Sequence, residues 1–147
     1  MIQFIFILRV LPPLLLLAGC STSFEREWKG AATRPHSDAF AGRWEGQWVS
    51  AKHRNADGRL RGILRPISPT QYHARFKADW MIFSSSYSTV FDTQRKGREL
   101  VFRGSKDLGA LFGGVYTFEG RATPENFKAT YDSSYDTGTF EMRPAAR

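Results

Sequence analysis

The chain has 147 residues, 41% of them apolar and 14% aromatic, with 21 lysines and arginines against 14 aspartates and glutamates for a formal net charge of +7. That length supports one domain with a substantial core. A single cysteine excludes an internal disulfide, so packing alone must hold the fold, and the positive excess suits an acidic partner or surface.

From Met1 to Gly19 the chain is rich in Ile, Leu and Phe, carries one cation at Arg9, and is broken by Pro12-Pro13. Its uninterrupted apolar run is too short to cross a bilayer, so residues 1–19 are expected to be a signal peptide. Directly after it, Leu17-Ala18-Gly19-Cys20 resembles the lipobox of bacterial lipoproteins. The resemblance implies that the Cys20 thiol takes a diacylglycerol thioether, that cleavage makes Cys20 the first residue of the mature chain, and that its new amino group is acylated. It implies a bacterial envelope protein held to a membrane by lipid at Cys20, periplasm-facing or in the outer membrane. Ser21 is not the aspartate-type signal that retains such proteins at the inner membrane. More than one acyl chain gives stable anchoring, where a single chain would be marginal.

Residues 20–38 are polar, with Gly30, Ala31, Ala32, Thr33 and Pro35 and no sustained period, and are expected to be a flexible tether. By random-coil scaling such a stretch spans roughly 25 Å, enough to hold a domain clear of the lipid. Phe24 and Trp28 are its apolar exceptions, suited either to the membrane interface or to the domain surface.

Residues 39–147 are the domain. From Phe40 onward apolar residues recur at every second position and are cut at short intervals by Gly, Pro, Asp and Asn, the pattern of antiparallel strands with one buried face. Phe40, Gly42, Trp44, Gly46 and Trp48 share one face of a first strand; Leu60, Gly62 and Leu64 belong to a second; Tyr72 to Trp80 holds a third; and Tyr87 to Phe91 a fourth. Leu100 with Phe102, Gly114 to Phe118, Phe127 to Tyr131, and Phe140 with Met142 complete eight. Tyr87–Arg103 and Phe127–Arg143 echo one another as aromatic-turn-glycine hairpins. The expected fold is all-β, an eight-stranded up-and-down antiparallel meander closed into a small barrel, with a two-sheet sandwich as the alternative. Gly42-x-Trp44-x-Gly46-x-Trp48 resembles the first strand of calycin-type barrels such as lipocalins and avidins. That resemblance implies a fold class and no binding residues; Trp44 and Trp48 are expected to plug one barrel end.

Two sets of residues are candidates for function. Trp44, Trp48, Tyr72, Phe76, Tyr116 and Tyr131 fall on inward faces, where they either line a site for a small apolar ligand or fill the core. If the turn from Pro66 to Thr70 joins the second and third strands, Gly62 falls opposite Phe76, and Arg61, Arg65, His73, Arg75 and Lys77 gather on one outer face. Such a cluster is a candidate anion-binding face for lipid phosphate or an acidic polysaccharide.

Catalytic patterns are missing. His36, His53 and His73 have no metal-ligand spacing, no G-x-S-x-G elbow exists, and Asp132–Gly138 spaces its oxygens like a calcium loop but has its glycine one residue late. Leu108–Gly114 is apolar and glycine-rich without a phosphate-binding lysine, and suits a barrel lid, a membrane-facing lip or a tucked loop. No cofactor, metal or catalytic set is expected, and nucleic acid does not suit an exported, anchored domain. The expectation is a non-catalytic envelope lipoprotein whose barrel binds or scaffolds a small apolar ligand or an anionic envelope component. The alternative is a protein inhibitor or assembly factor acting through its surface or loops, similar in format to the barrel lipoproteins that inhibit lysozymes, although a cationic lysozyme would repel this charge.

Overall fold

A computed structural model describes residues 12–146, with side chains from Ser23 onward. The first part of the expected signal peptide and the Cys20 side chain, on which lipidation depends, lie outside the described residues.

The strands are β1 (Gly42–Ser50), β2 (Asp57–Ser68), β3 (Gln71–Trp80), β4 (Phe83–Lys96), β5 (Glu99–Asp107), β6 (Val115–Ala122), β7 (Phe127–Asp132) and β8 (Thr137–Pro144). Each pairs with the next, and β8 returns to β1 from Trp44↔Pro144 to Ser50↔Gly138, making a closed antiparallel up-and-down barrel rather than a sandwich. Alternation dictates the register: Gly62 opposes Phe76, Arg61 opposes Lys77 and Arg65 opposes His73. Tight coiling needs glycine where strands touch. A Cβ on Gly46 would lie 1.9 Å from the Glu141 carbonyl oxygen, and one on Gly120 would lie 2.3 Å from that of Lys128.

Connections alternate between two ends. The rim carries residues 51–56, the Met81-Ile82 turn, residues 108–114 with a short 3-10 turn at Ala110–Phe112, and residues 133–136. The base carries the remaining turns and the entry to β1. Along the β4–β5 seam the ladder runs only from Lys96↔Glu99 to Phe91↔Gly104, so the rimward half of β4 pairs with β3 alone. Thr89 spans the opening by donating its hydroxyl to the Ser105 carbonyl at 3.0 Å.

The barrel interior is filled with rings. The Phe76 ring centre lies 5.6 to 6.3 Å from those of Tyr87, Phe91, Phe127 and Phe140, and Phe102 lies 4.7 Å from both Phe91 and Phe127. Trp44 and Trp48 do not plug the same end. Residues four apart on a strand are about 13 Å apart, so Trp44 packs toward the base, donating Nε1–H to the Phe40 carbonyl at 3.0 Å, and Trp48 toward the rim, donating to the Asp79 carbonyl at 3.1 Å. Phe40 closes the base. Asp38 accepts the Phe40 and Ala41 amides at 2.7 and 2.9 Å and also the Tyr72 hydroxyl, whose pKa is pushed up by burial and then by that carboxylate.

Residues 20–38, expected to be a flexible tether, are instead helical as far as Thr33. Helix α1 runs Pro12–Thr33 and stops two residues before Pro35, whose ring cannot extend it. Phe24, Trp28 and Ala31 stand at i, i+4 and i+7, one stripe of a helix, and bury themselves against Ile63 on the outside of β2. The stretch from Phe24 to Ala31 therefore packs onto the barrel instead of hanging free of it, because three apolar side chains on one stripe find an apolar outward residue to cover.

Candidate functional site: a clamped basic face and an apolar rim

Ile63 points outward yet is only 1% exposed, ringed by the cations of β2 and β3. Arg61, Arg65, His73, Arg75 and Lys77 do share this face, with Arg61 directly across from Lys77. Like charges so placed destabilise a strand pair. Helix α1 supplies the counter-charge. Arg61 donates twice to Glu25, at 2.6 and 3.0 Å, and Lys77 donates to the same carboxylate at 2.7 Å. Glu27 takes Arg75 at 2.6 Å and lies 3.2 Å from Arg65, while Arg75 also donates to the Ser23 hydroxyl at 3.0 Å. Hydrogen bonding from Arg61 holds the Glu25 carboxyl down, at a pKa of about 2. The rings join in: the Arg61 guanidinium sits 5.3 Å from the centres of both Phe24 and Trp28, and Arg43 sits 5.0 Å from Trp28.

This arrangement changes what the face can do. Arg61 and Lys77 are buried beneath α1, so the face is not the open cationic surface that the strand pattern by itself implied. Among the described residues, Glu25 and Glu27 pair with Arg61, Arg65, Arg75 and Lys77. Beside α1 an open groove is lined by Arg65, Arg75 and Lys106 together with Glu27, Asp107 and His73. Burial, and then the charge of Arg65, push the His73 pKa down, so His73 adds no charge to the groove at neutral pH.

The interior candidates divide. Trp44, Tyr72, Phe76 and Tyr131 are buried core, and Trp48 and Tyr116 pack against them half-buried toward the rim. They form the packing itself rather than the wall of a lumen. The Asp132–Gly138 turn is held by a buried carboxylate: Asp136 accepts the Tyr131 hydroxyl at 2.8 Å and the Ser50 hydroxyl at 2.6 Å, and Ser133 accepts the amides of Tyr135 and Asp136. Among the described residues no three His, Cys, Asp or Glu side chains converge as metal ligands.

The rim is the second feature. At the β3–β4 turn Met81 and Ile82 are 82% and 91% exposed, flanked by exposed Trp80 and Phe83; across the same end Leu111 is 94% exposed, with Phe112 and Val115 beside it. Leu108–Gly114 is thus an outward lip, not a tucked loop. Trp80, which the alternation placed with the inward set, stands at the tip, because β2 and β3 stop pairing at Leu60↔Ala78 and β3 runs on past the barrel wall.

Sequence reading missed Glu25 and Glu27 as partners of the basic face. The usable signal was the Phe24, Trp28, Ala31 spacing with acids between, too short a run to stand out among glycine and alanine. No protein-family model, no curated protein and no solved structure matches the chain.

Proposed function

We propose that this is a non-catalytic lipoprotein of the bacterial cell envelope, anchored through lipid on Cys20, whose closed barrel scaffolds an anionic envelope component at a membrane surface. The observation that carries this reading is the clamp of α1 on the basic face. Phe24 is fully buried against the barrel and lies one helical turn after Cys20, about 6 Å along the axis. A lipid on Cys20 would therefore hold the barrel at the bilayer rather than on a tether. The ring-filled interior argues against a small apolar ligand as cargo, and the cation excess beside α1 favours an anionic partner.

The test is expression of the full chain in a bacterium that processes lipoproteins, followed by mass determination of the mature membrane-bound protein. The expected product begins at Cys20 carrying a diacylglycerol thioether and an acylated amino group, and Cys20→Ala is neither processed nor retained in mature form on the membrane. Mature Cys20→Ala protein that stays membrane-bound would sink the anchoring reading. A stoichiometric small molecule surviving in the non-denaturing mass spectrum, and lost in Trp48→Ala, would replace the scaffold with a carrier. Retention on a sulfated polysaccharide column that falls in Lys106→Glu supports the anionic component; retention unchanged by that substitution removes it.

A further inference from the structure

We infer that the apolar rim inserts into the bilayer surface, so that the barrel is held by two contacts, the anchor at Cys20 and the tips at Ile82 and Leu111; this rests on the anchoring reading above. Three observations carry it. Exposed large apolar side chains concentrate at this one end: among the described residues Ile67 and Val90 are the exceptions elsewhere.

Charge is also cleared from both tips. Trp80 to Phe91 and Leu108 to Phe118 contain no Asp, Glu, Lys or Arg, in a chain that is 24% charged. Solvated loops have no reason to exclude charge, whereas a segment entering the acyl boundary cannot carry it without a large desolvation cost.

The β3–β4 turn departs from the residues its geometry prefers. Trp80 pairs with Phe83, leaving a two-residue turn in which Met81 has φ +52°, the left-handed region. Tight hairpin turns of this kind favour Asn and Gly, which reach positive φ cheaply. Met81 there costs backbone strain, Met81 and Ile82 together expose apolar surface to water, and both side chains remain exposed rather than packed on the barrel. A bilayer recovers the second cost, the exposed apolar surface.

The anchor of the reading above selects lipid over another occupant. Helix α1 lies across β1 to β3: Trp28 sits on Arg43 and Arg61, Ser23 on Arg75, and Glu25 and Glu27, two residues apart and so on opposite flanks of the helix, reach the rimward pair Arg61 and Lys77 and the more basal pair Arg65 and Arg75. Cys20 lies about 6 Å along the axis from the docked Phe24, so lipid there brings a bilayer to the barrel, and the charge-free tips are the part of its surface that can enter one.

The experiment uses the lipidated full-length protein. Cys20 is the only cysteine and its thiol is blocked by lipid, so Ile82→Cys accepts one environment-sensitive fluorophore; Arg98→Cys places the same probe at the base. Both sites are solvent-exposed, so folding is unaffected. In phospholipid vesicles the probe at Ile82 should shift its emission to the blue and be quenched by lipids brominated on their tails, with neither effect at Arg98, and adding Leu111→Asp should reduce both. Vesicle-bound protein with a water-like probe at Ile82 would overturn rim insertion while leaving the anchor standing. Self-quenching of the Ile82 probe without lipid quenching would assign the rim to a second copy and overturn the proposal equally. Unlipidated protein whose Ile82 probe still enters vesicles would confirm the rim as a contact independent of the anchor; lipidated protein that fails to associate at all removes both.

Discussion

Arg61 and Glu25, 36 residues apart in sequence, face each other through two hydrogen bonds of 2.6 and 3.0 Å, and this pair joins the helix to the barrel. The Arg61 side chain is 9% exposed and packed against the stacked rings of Phe24 and Trp28, so its charge is taken from water and must be answered at close range.

The pair should be visible in the pH dependence of stability. Glu25 is lowered from 4.5 to about 2 in the folded protein, so its contribution is complete above about 4.5 and disappears as pH falls toward 2. Allowing for solvent screening of a side chain 37% exposed, Glu25→Gln should cost about 1–2 kcal/mol at pH 7. Urea unfolding of both proteins at pH 7 and at pH 2 checks this: the gap between them should close at the lower pH, and a constant gap would assign the effect to packing.

Trp28 belongs to a cluster with Phe24, Ala31 and Ile63 that is separate from the barrel core. Trp28→Ala should therefore destabilise the docked helix by about 3 kcal/mol and leave the strands folded. Hydrogen exchange read by residue would show faster exchange over residues 23–33 with the β5–β8 amides unchanged. Equal acceleration in both regions would mean that helix and barrel unfold as one unit.

A methyl group added at Gly120 meets the Lys128 carbonyl oxygen at 2.3 Å and the Phe102 ring at 2.5 Å, neither of which can move far. Gly120→Ala should lose about 1–3 kcal/mol by overpacking, measured as a lower denaturation midpoint with an unchanged slope. A neutral result would mean that β6 and β7 can separate without cost.

Asp136 is buried and receives the hydroxyls of Tyr131 and Ser50. Burial first, and the nearby carboxylate second, push the Tyr131 hydroxyl above its ordinary pKa. Asp136→Ala strands both donors and should cost about 2 kcal/mol, whereas a Tyr131→Phe, Asp136→Ala double variant should lose less than the two single changes together. Strict additivity in thermal unfolding would show that the two groups are not coupled.

Much of the barrel was legible in the strand pattern. Period-two alternation from Phe40 to Met142 marks eight amphipathic segments, and the Gly62–Phe76 register follows from keeping one face apolar across a short turn. The five basic residues of β2 and β3 were legible as a group for the same reason. What covers them was not, since Glu25 and Glu27 lie outside the alternating region, on a helix that docks through a single apolar stripe. Trp44 and Trp48 show a second limit: alternation gives the side on which a residue lies, not its height along the barrel axis.

The sequence by itself determined the apolar N-terminal run and the lone cysteine, the strands and which side of each is wet, because these are local properties written in composition and period. Only the tertiary structure decided that a polar stretch becomes a clamp, that rings fill the barrel rather than line it, and that two distant uncharged loops share one rim. Those outcomes depend on which surfaces meet when the chain closes on itself, where burial of one apolar stripe and neutralisation of one charge cluster are satisfied by the same helix.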